Sequence, residues 1–188
     1  MRSSTNHMKS EAYQLGALAL LGTVAIIAAA LAFEYIGGFA PCPLCLQQRY
    51  AYYIAIPALF AAMVLLTTDS TGPAAVILLL LSLVFLGNAG LGVYHAGAEW
   101  KYWPGPDTCS VTGASLATSA GDLLKKMQTA KVVRCDEAAF RFLGLSMAGW
   151  NVISSIGLWI TIQQAAFAAG MRISCRRWAR LRALLSSG

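Results

Sequence analysis

The chain has 188 residues, of which 57% are hydrophobic and 12% charged, with a formal net charge of +6. An average soluble domain carries roughly 25% charged residues, so this composition excludes an ordinary soluble globular protein and points to one that lives in a membrane. The positive balance is not a nucleic-acid signal, because Arg172, Arg176, Arg177, Arg180 and Arg182 follow an apolar run, where a basic cluster anchors topology against anionic lipid.

Four stretches approach the ~20 apolar residues needed to cross a bilayer: Leu15–Phe33, Tyr50–Leu66, Ala74–Tyr94 and Leu145–Ala169. None contains Asp, Glu, Lys or Arg. The first is read as a permanent span: it is longer than the apolar core of a secretory signal, and no obvious small-residue cleavage site follows it. The expected fold is therefore an all-α membrane protein, a single domain built as a four-transmembrane-helix antiparallel bundle. Four spans put both termini on one side and the segments of about Glu34–Arg49 and His95–Gly144 on the other. Basic residues are equally numerous on the two sides, but the arginines of 172–182 are concentrated beside a membrane end, where orientation is set. This predicts cytoplasmic termini, a cytoplasmic tail of about 170–188 and two loops on the opposite side, periplasmic where the membrane is a bacterial inner membrane.

The connection Thr67–Pro73 is short and turn-like, so the second and third spans must be neighbours. Gly87, Gly90 and Gly92 in the third span, and Gly144, Gly149 and Gly157 around the fourth, read as sites of close helix packing. Trp100, Tyr102 and Trp103 form an aromatic belt where the chain leaves the third span. Pro104-Gly105-Pro106 then imposes an irregular, accessible segment before Cys109. Leu116, Ala120, Leu123, Leu124, Met127 and Ala130 recur at helical spacing, with Asp122, Lys125, Lys126 and Thr129 on the other face. This predicts a short amphipathic helix lying at the membrane interface within the long periplasmic loop.

The chemistry lies in the cysteines. Cys42 and Cys45 form a Cys-x-x-Cys pair at the start of a helix, whose positive end stabilises a thiolate, the species that attacks disulfides. Cys109 and Cys135 lie in the long loop, in the same compartment as the first pair, and paired cysteines persist on the oxidising side of such a membrane. Cys175, in the arginine-rich tail, is a fifth thiol with no required role. Haem attachment would need His where Leu46 stands. A zinc site would call for a second short-spaced pair, which Cys109 and Cys135 do not form, and no metal is expected. Purely structural disulfides are the blander alternative, though a four-helix membrane bundle does not need staples as a small secreted domain does.

Three segments together resemble the bacterial disulfide bond formation protein B family: Cys42-Pro43-Leu44-Cys45-Leu46-Gln47-Gln48-Arg49, Trp103-Pro104-Gly105-Pro106-Asp107-Thr108-Cys109, and Cys135 followed by Phe142-Leu143-Gly144-Leu145-Ser146-Met147. The resemblance runs from about Leu15 to Ala169. It implies a quinone-dependent protein-dithiol oxidoreductase with catalytic Cys42, Cys45, Cys109 and Cys135. Cys109 would meet a periplasmic thioredoxin-fold dithiol oxidase of the DsbA type, and Cys45 would stand beside a membrane quinone, ubiquinone or menaquinone. Arg49 and His95 would join Cys45 in binding that cofactor.

Energetics agree with this reading. A soluble oxidant near −120 mV stands ~180 mV above ordinary structural disulfides, roughly 8 kcal/mol uphill for two electrons, so ordinary disulfides would not reoxidise it and a terminal acceptor is needed. A permanent arginine cation suits such a site, because it lowers the pKa of the nearby Cys45 and stabilises charge on a quinone oxygen. Two rivals remain at this stage. In a vitamin K epoxide reductase-like protein the quinone-side pair follows the loop pair in sequence, whereas here it precedes it. A disulfide-stapled membrane scaffold or transporter subunit would need no quinone.

Overall fold

The computed structural model describes residues 2–105, 138 and 140–186. Among them stand four helices, α1 (Arg2–Tyr35), α2 (Pro43–Thr67), α3 (Thr71–Glu99) and α4 (Met147–Ser186), with a hairpin of β1 (Arg141–Phe142) and β2 (Leu145–Ser146) leading into α4. All four are long and apolar enough to cross a membrane. Each helix packs on the next, and α4 closes the ring against α1. The protein is thus a four-helix membrane bundle. The predicted amphipathic interfacial helix lies outside the described residues, as do Cys109 and Cys135.

Every helix is longer than the apolar run from which it was read. Counting apolar residues stops at the first polar one, but backbone hydrogen bonding carries α1 through Glu34, starts α2 ahead of Gln47-Gln48-Arg49 and extends α3 through His95 to Glu99. Polar residues at these ends therefore sit on rigid helical turns.

The bundle centre is small and apolar. Ala55, Leu59, Ala62, Phe85, Ile162 and Ala165 are fully buried, while leucines such as Leu18, Leu21, Leu80 and Leu83 point outward, the pattern expected when lipid is the solvent. Gly92 serves close approach: a methyl group there would press on Val152 of α4. Gly87, Gly90 and Gly157 face open space instead, so the expected packing role belongs to only part of the glycine set.

A polar network crosses the bundle. Tyr52 Oη donates to Asn151 Oδ1 at 2.7 Å and lies 3.1 Å and 3.3 Å from Ser154 Oγ and Ser155 Oγ. Asn88 Nδ2 donates to Ser155 Oγ at 2.9 Å. With little water available, such groups find their partners on neighbouring helices.

The two ends of the bundle are fastened differently. At the α2–α3 turn, Asp69 Oδ1 accepts from Lys9 Nζ and Arg172 Nη2, both at 2.9 Å, joining α1, the turn and α4. Asp69 adopts φ 62°, a left-handed conformation that Asp tolerates better than most residues. Its hydrogen bond from Lys9, and then that from Arg172, hold its carboxyl down at about 2.

At the opposite end the chain leaving α3 folds back. Trp103 Nε1 donates to Tyr94 O at 2.8 Å, and the Trp103 ring stacks on that of Tyr94 with centroids 6.1 Å apart. Gly97 makes this return possible, because a side-chain methyl there would overlap the Trp103 ring. Phe140 packs against Phe33 and Phe39 with centroids at 5.7 Å and 5.4 Å. The hairpin turn uses Leu143 and Gly144 at φ 53° and 81°, positive values at both central positions, as a two-residue type I′ turn requires.

Candidate functional site

The site is built where the ends of α1, α2 and α3 meet the hairpin. Pro43 occupies the first helical position of α2, and Cys42 is its N-cap, with φ −76° and ψ 165°. The cap is a sulfur: Cys42 Sγ accepts from Cys45 N–H at 3.2 Å, taking the place usually filled by a Ser, Thr, Asp or Asn oxygen. One helical turn thus brings Cys42 Sγ and Cys45 Sγ to 2.7 Å. Two thiolates sharing a tetrahedral zinc at Zn–S distances of about 2.3 Å would stand about 3.8 Å apart. Cys42, Cys45 and His95 all offer donors within 4.8 Å of one another, and the sulfurs stand closer than that zinc spacing.

His95, on α3, completes this inner group. Its Nε2 lies 3.6 Å from Cys42 Sγ, and its Nδ1 lies 3.2 Å from Gln48 Nε2. A glutamine amide offers either a donor or an acceptor, so Gln48 can support either imidazole tautomer. The Cys45 side chain, followed by the hydrogen bond and charge of His95, lowers the Cys42 thiol from its ordinary value to about 5, against the opposing effect of burial. Glu99, one turn beyond His95 on α3, places Oε1 3.7 Å from His95 Nε2.

Arg49 lies one turn after Cys45. Its guanidinium does not hydrogen-bond to either sulfur: Nη1 donates to Glu34 on α1 and Nη2 to Ala30 O at 3.3 Å. Among the described residues two of its five N–H donors are thereby engaged. Against the expectation that Arg49 acts on Cys45, its direct partner is Glu34, and the acidified sulfur outside the spans is Cys42.

These groups surround a cavity of about 610 Å³, within the range of small-molecule sites. Its walls are largely apolar, with Ile26, Ile27, Ala30 and Phe33 from α1 and Phe140 and Met147 from the hairpin side. Cys42, Cys45, Gln48, Arg49, His95 and Glu99 also line it. A lining of this kind, mostly apolar with a few polar side chains, is that of a small-molecule site.

Of the residues singled out in the sequence, Cys42, Cys45, Arg49 and His95 are brought to one cavity, with Cys45 lining it. Cys109 and Cys135 lie outside the described residues. Glu34, Gln48 and Glu99 were missed, although the spacing His95-x-x-x-Glu99 already set two titratable groups one turn apart on one helix face.

Residues 13–165 match the family described as Disulfide bond formation protein DsbB. A relative named Disulfide bond formation protein B from Methylococcus capsulatus is 34% identical over 146 residues, covering 75% of this chain and 85% of its own length. One of the same name from Aromatoleum aromaticum is 32% identical over 157 residues, covering 78% and 89%. One from Hahella chejuensis is 30% identical over 145 residues, covering 74% and 84%. No solved structure matches the chain significantly.

Proposed function

Because the chain belongs to the DsbB family of membrane disulfide bond formation proteins, we propose that it reoxidises a periplasmic thioredoxin-fold dithiol oxidase of the DsbA type and passes the electrons to a membrane quinone. The observation that carries this reading is the Cys42–Cys45 pair in the lining of a largely apolar cavity that Arg49 and His95 also line.

The Cys109–Cys135 disulfide takes two electrons from the partner's dithiol, which leaves as a disulfide. Cys109, following the Pro104–Pro106 segment, is the sulfur that meets the partner. The resulting loop dithiol reduces the Cys42–Cys45 disulfide and closes its own again. Quinone, when bound, supplies the acceptor for two electrons and two protons. The chain's own residues do the rest: the apolar walls exclude water, Arg49 holds a quinone oxygen with its remaining donors, and His95 stands beside Cys42 to exchange a proton with it. Both termini face the cytoplasm and the four catalytic cysteines face the periplasm of a bacterial inner membrane.

The test combines purified protein, a reduced thioredoxin-fold partner and quinone. Partner oxidation that depends on quinone, together with partner capture on Cys109 in the absence of a resolving cysteine, supports the reading. Quinone-independent oxidation would discard the electron route, and labelling of Cys175 with protection of Cys109 in intact cells would discard the topology.

A further inference from the structure

We propose that Glu99 is a positioning residue: its carboxylate supports His95, and the imidazole carries one of the protons displaced when Cys42 and Cys45 are oxidised. The proposal rests on the quinone reading above. It starts from an oddity of burial: the Glu99 side chain is 5% exposed, and its Oε2 has no hydrogen-bond partner among the described residues. Carboxylates are seldom buried so deeply without full pairing. A pair serving only to finish a helix would be expected on the solvated surface. This one lines the cavity with Cys42, Cys45, Gln48 and His95.

Cys42 and Glu99 approach one and the same imidazole nitrogen. Cys42 Sγ is 3.6 Å from His95 Nε2, and the same nitrogen is 3.7 Å from Glu99 Oε1. Gln48 holds the other ring nitrogen at 3.2 Å. The charged and titratable groups facing Glu99 are Cys42 and Cys45 from the start of α2, His95 from its own helix and Arg141 from β1, while the Ser146 hydroxyl engages the carboxylate from β2. Glu34 and Arg49, on the cavity wall, are matched to each other.

Oxidising the pair breaks two S–H bonds and forms one S–S bond. Two electrons and two protons leave, and a quinone takes all four on becoming a hydroquinone, so no net proton is exchanged with water. Arginine does not release a proton in this range, and Glu34 is engaged by Arg49. His95 accepts the Cys42 proton on Nε2, the Glu99 carboxylate stabilises the resulting imidazolium, and the proton then passes from the imidazole to a quinone oxygen.

The sign of one measurement separates this role from its rivals. Iodoacetamide labelling of Cys42 is followed against pH on the reduced, quinone-free full chain and read peptide by peptide in the mass spectrometer. If Glu99 acts through His95, Glu99→Gln makes proton transfer to the imidazole harder and moves the Cys42 profile to higher pH by about one unit. Glu99→Asp restores part of the shift, and Glu99→Gln adds nothing in a His95→Ala background. If Glu99 were only a nearby negative charge, its neutralisation would move the profile to lower pH, and an unmoved profile would leave it a structural residue; either result overturns the proposal. In turnover, Glu99→Gln lowers kcat about tenfold or more with quinone KM little changed. Because the labelling uses no quinone, a failed electron route and a failed role for Glu99 are told apart.

Discussion

Arg49 on α2 donates to Glu34 on α1, so the cation beside the first cysteine pair is held by a carboxylate from the neighbouring helix. Both side chains are largely covered, at 13% and 22% exposed. The pairing fixes where the guanidinium points, and it also competes with a ligand for that guanidinium.

The two partners are therefore expected to respond in opposite directions. A hydrogen bond to a charged group contributes about 1.5–3 kcal/mol, so Arg49→Gln should raise the apparent quinone KM about tenfold or more while thiol exchange between the cysteine pairs continues. Arg49→Lys should recover part of the loss, since it keeps charge without the planar fork. Glu34→Gln should free the guanidinium and lower quinone KM, at some cost in stability. Steady-state partner oxidation across quinone concentrations measures all three, and equal KM values would remove Arg49 from the site.

The acidity of Cys42 rests first on the Cys45 side chain. Cys45→Ala should therefore move the pH profile of Cys42 alkylation towards the ordinary thiol range. In the reduced protein, a thiol lowered from 9.0 to about 5 favours the folded state fully above pH 9, and this contribution shrinks as pH falls and is gone below about pH 5. Unfolding of the reduced wild type should thus lose stability over that window relative to Cys42→Ala; parallel curves would refute the assignment.

Tyr52→Phe removes the hydroxyl that meets Asn151, Ser154 and Ser155. Hydrogen bonds between membrane helices contribute about 0.6 kcal/mol on average, so the three together predict a loss of roughly 1–2 kcal/mol. Unfolding in mixed micelles measures it, and no loss would mean that the network forms equally well without Tyr52.

Asp69→Asn keeps a residue that accepts φ 62° but removes the charge shared by Lys9 and Arg172. The Asp69 carboxyl is lowered from 3.8 to about 2, so its contribution is complete above about pH 4 and lost as pH falls through about 2. Wild type should converge on Asp69→Asn in stability as pH is lowered through that range. Curves that stay separate there would show that the clamp does not depend on charge.

The four-helix architecture was legible because lipid exposure demands long apolar runs, and sequence counts those well. The Cys42–Cys45 turn was legible for a similar reason: Pro43 marks a helix start, and the three-residue spacing fits one turn. Glu34, Gln48 and Glu99 escaped because they stand just beyond the apolar runs, where polarity reads as loop although the helices continue. Their partners come from other helices or from the next turn, and no single-strand pattern announces that Glu34 will meet Arg49. The hairpin before α4 was missed as well, since two-residue strands carry too little alternation to be read.

Trp103 and Phe140 have a consequence for reach. Cys109 follows Trp103 by six positions and Cys135 precedes Phe140 by five, and a chain spans at most about 3.3–3.6 Å per residue. The fold-back over Gly97 and the Phe33–Phe39–Phe140 cluster thus act as two short leashes. They fix the two points at this end of the bundle from which the segment carrying the second cysteine pair is tethered, and tether length is what sets an effective concentration in such an arrangement.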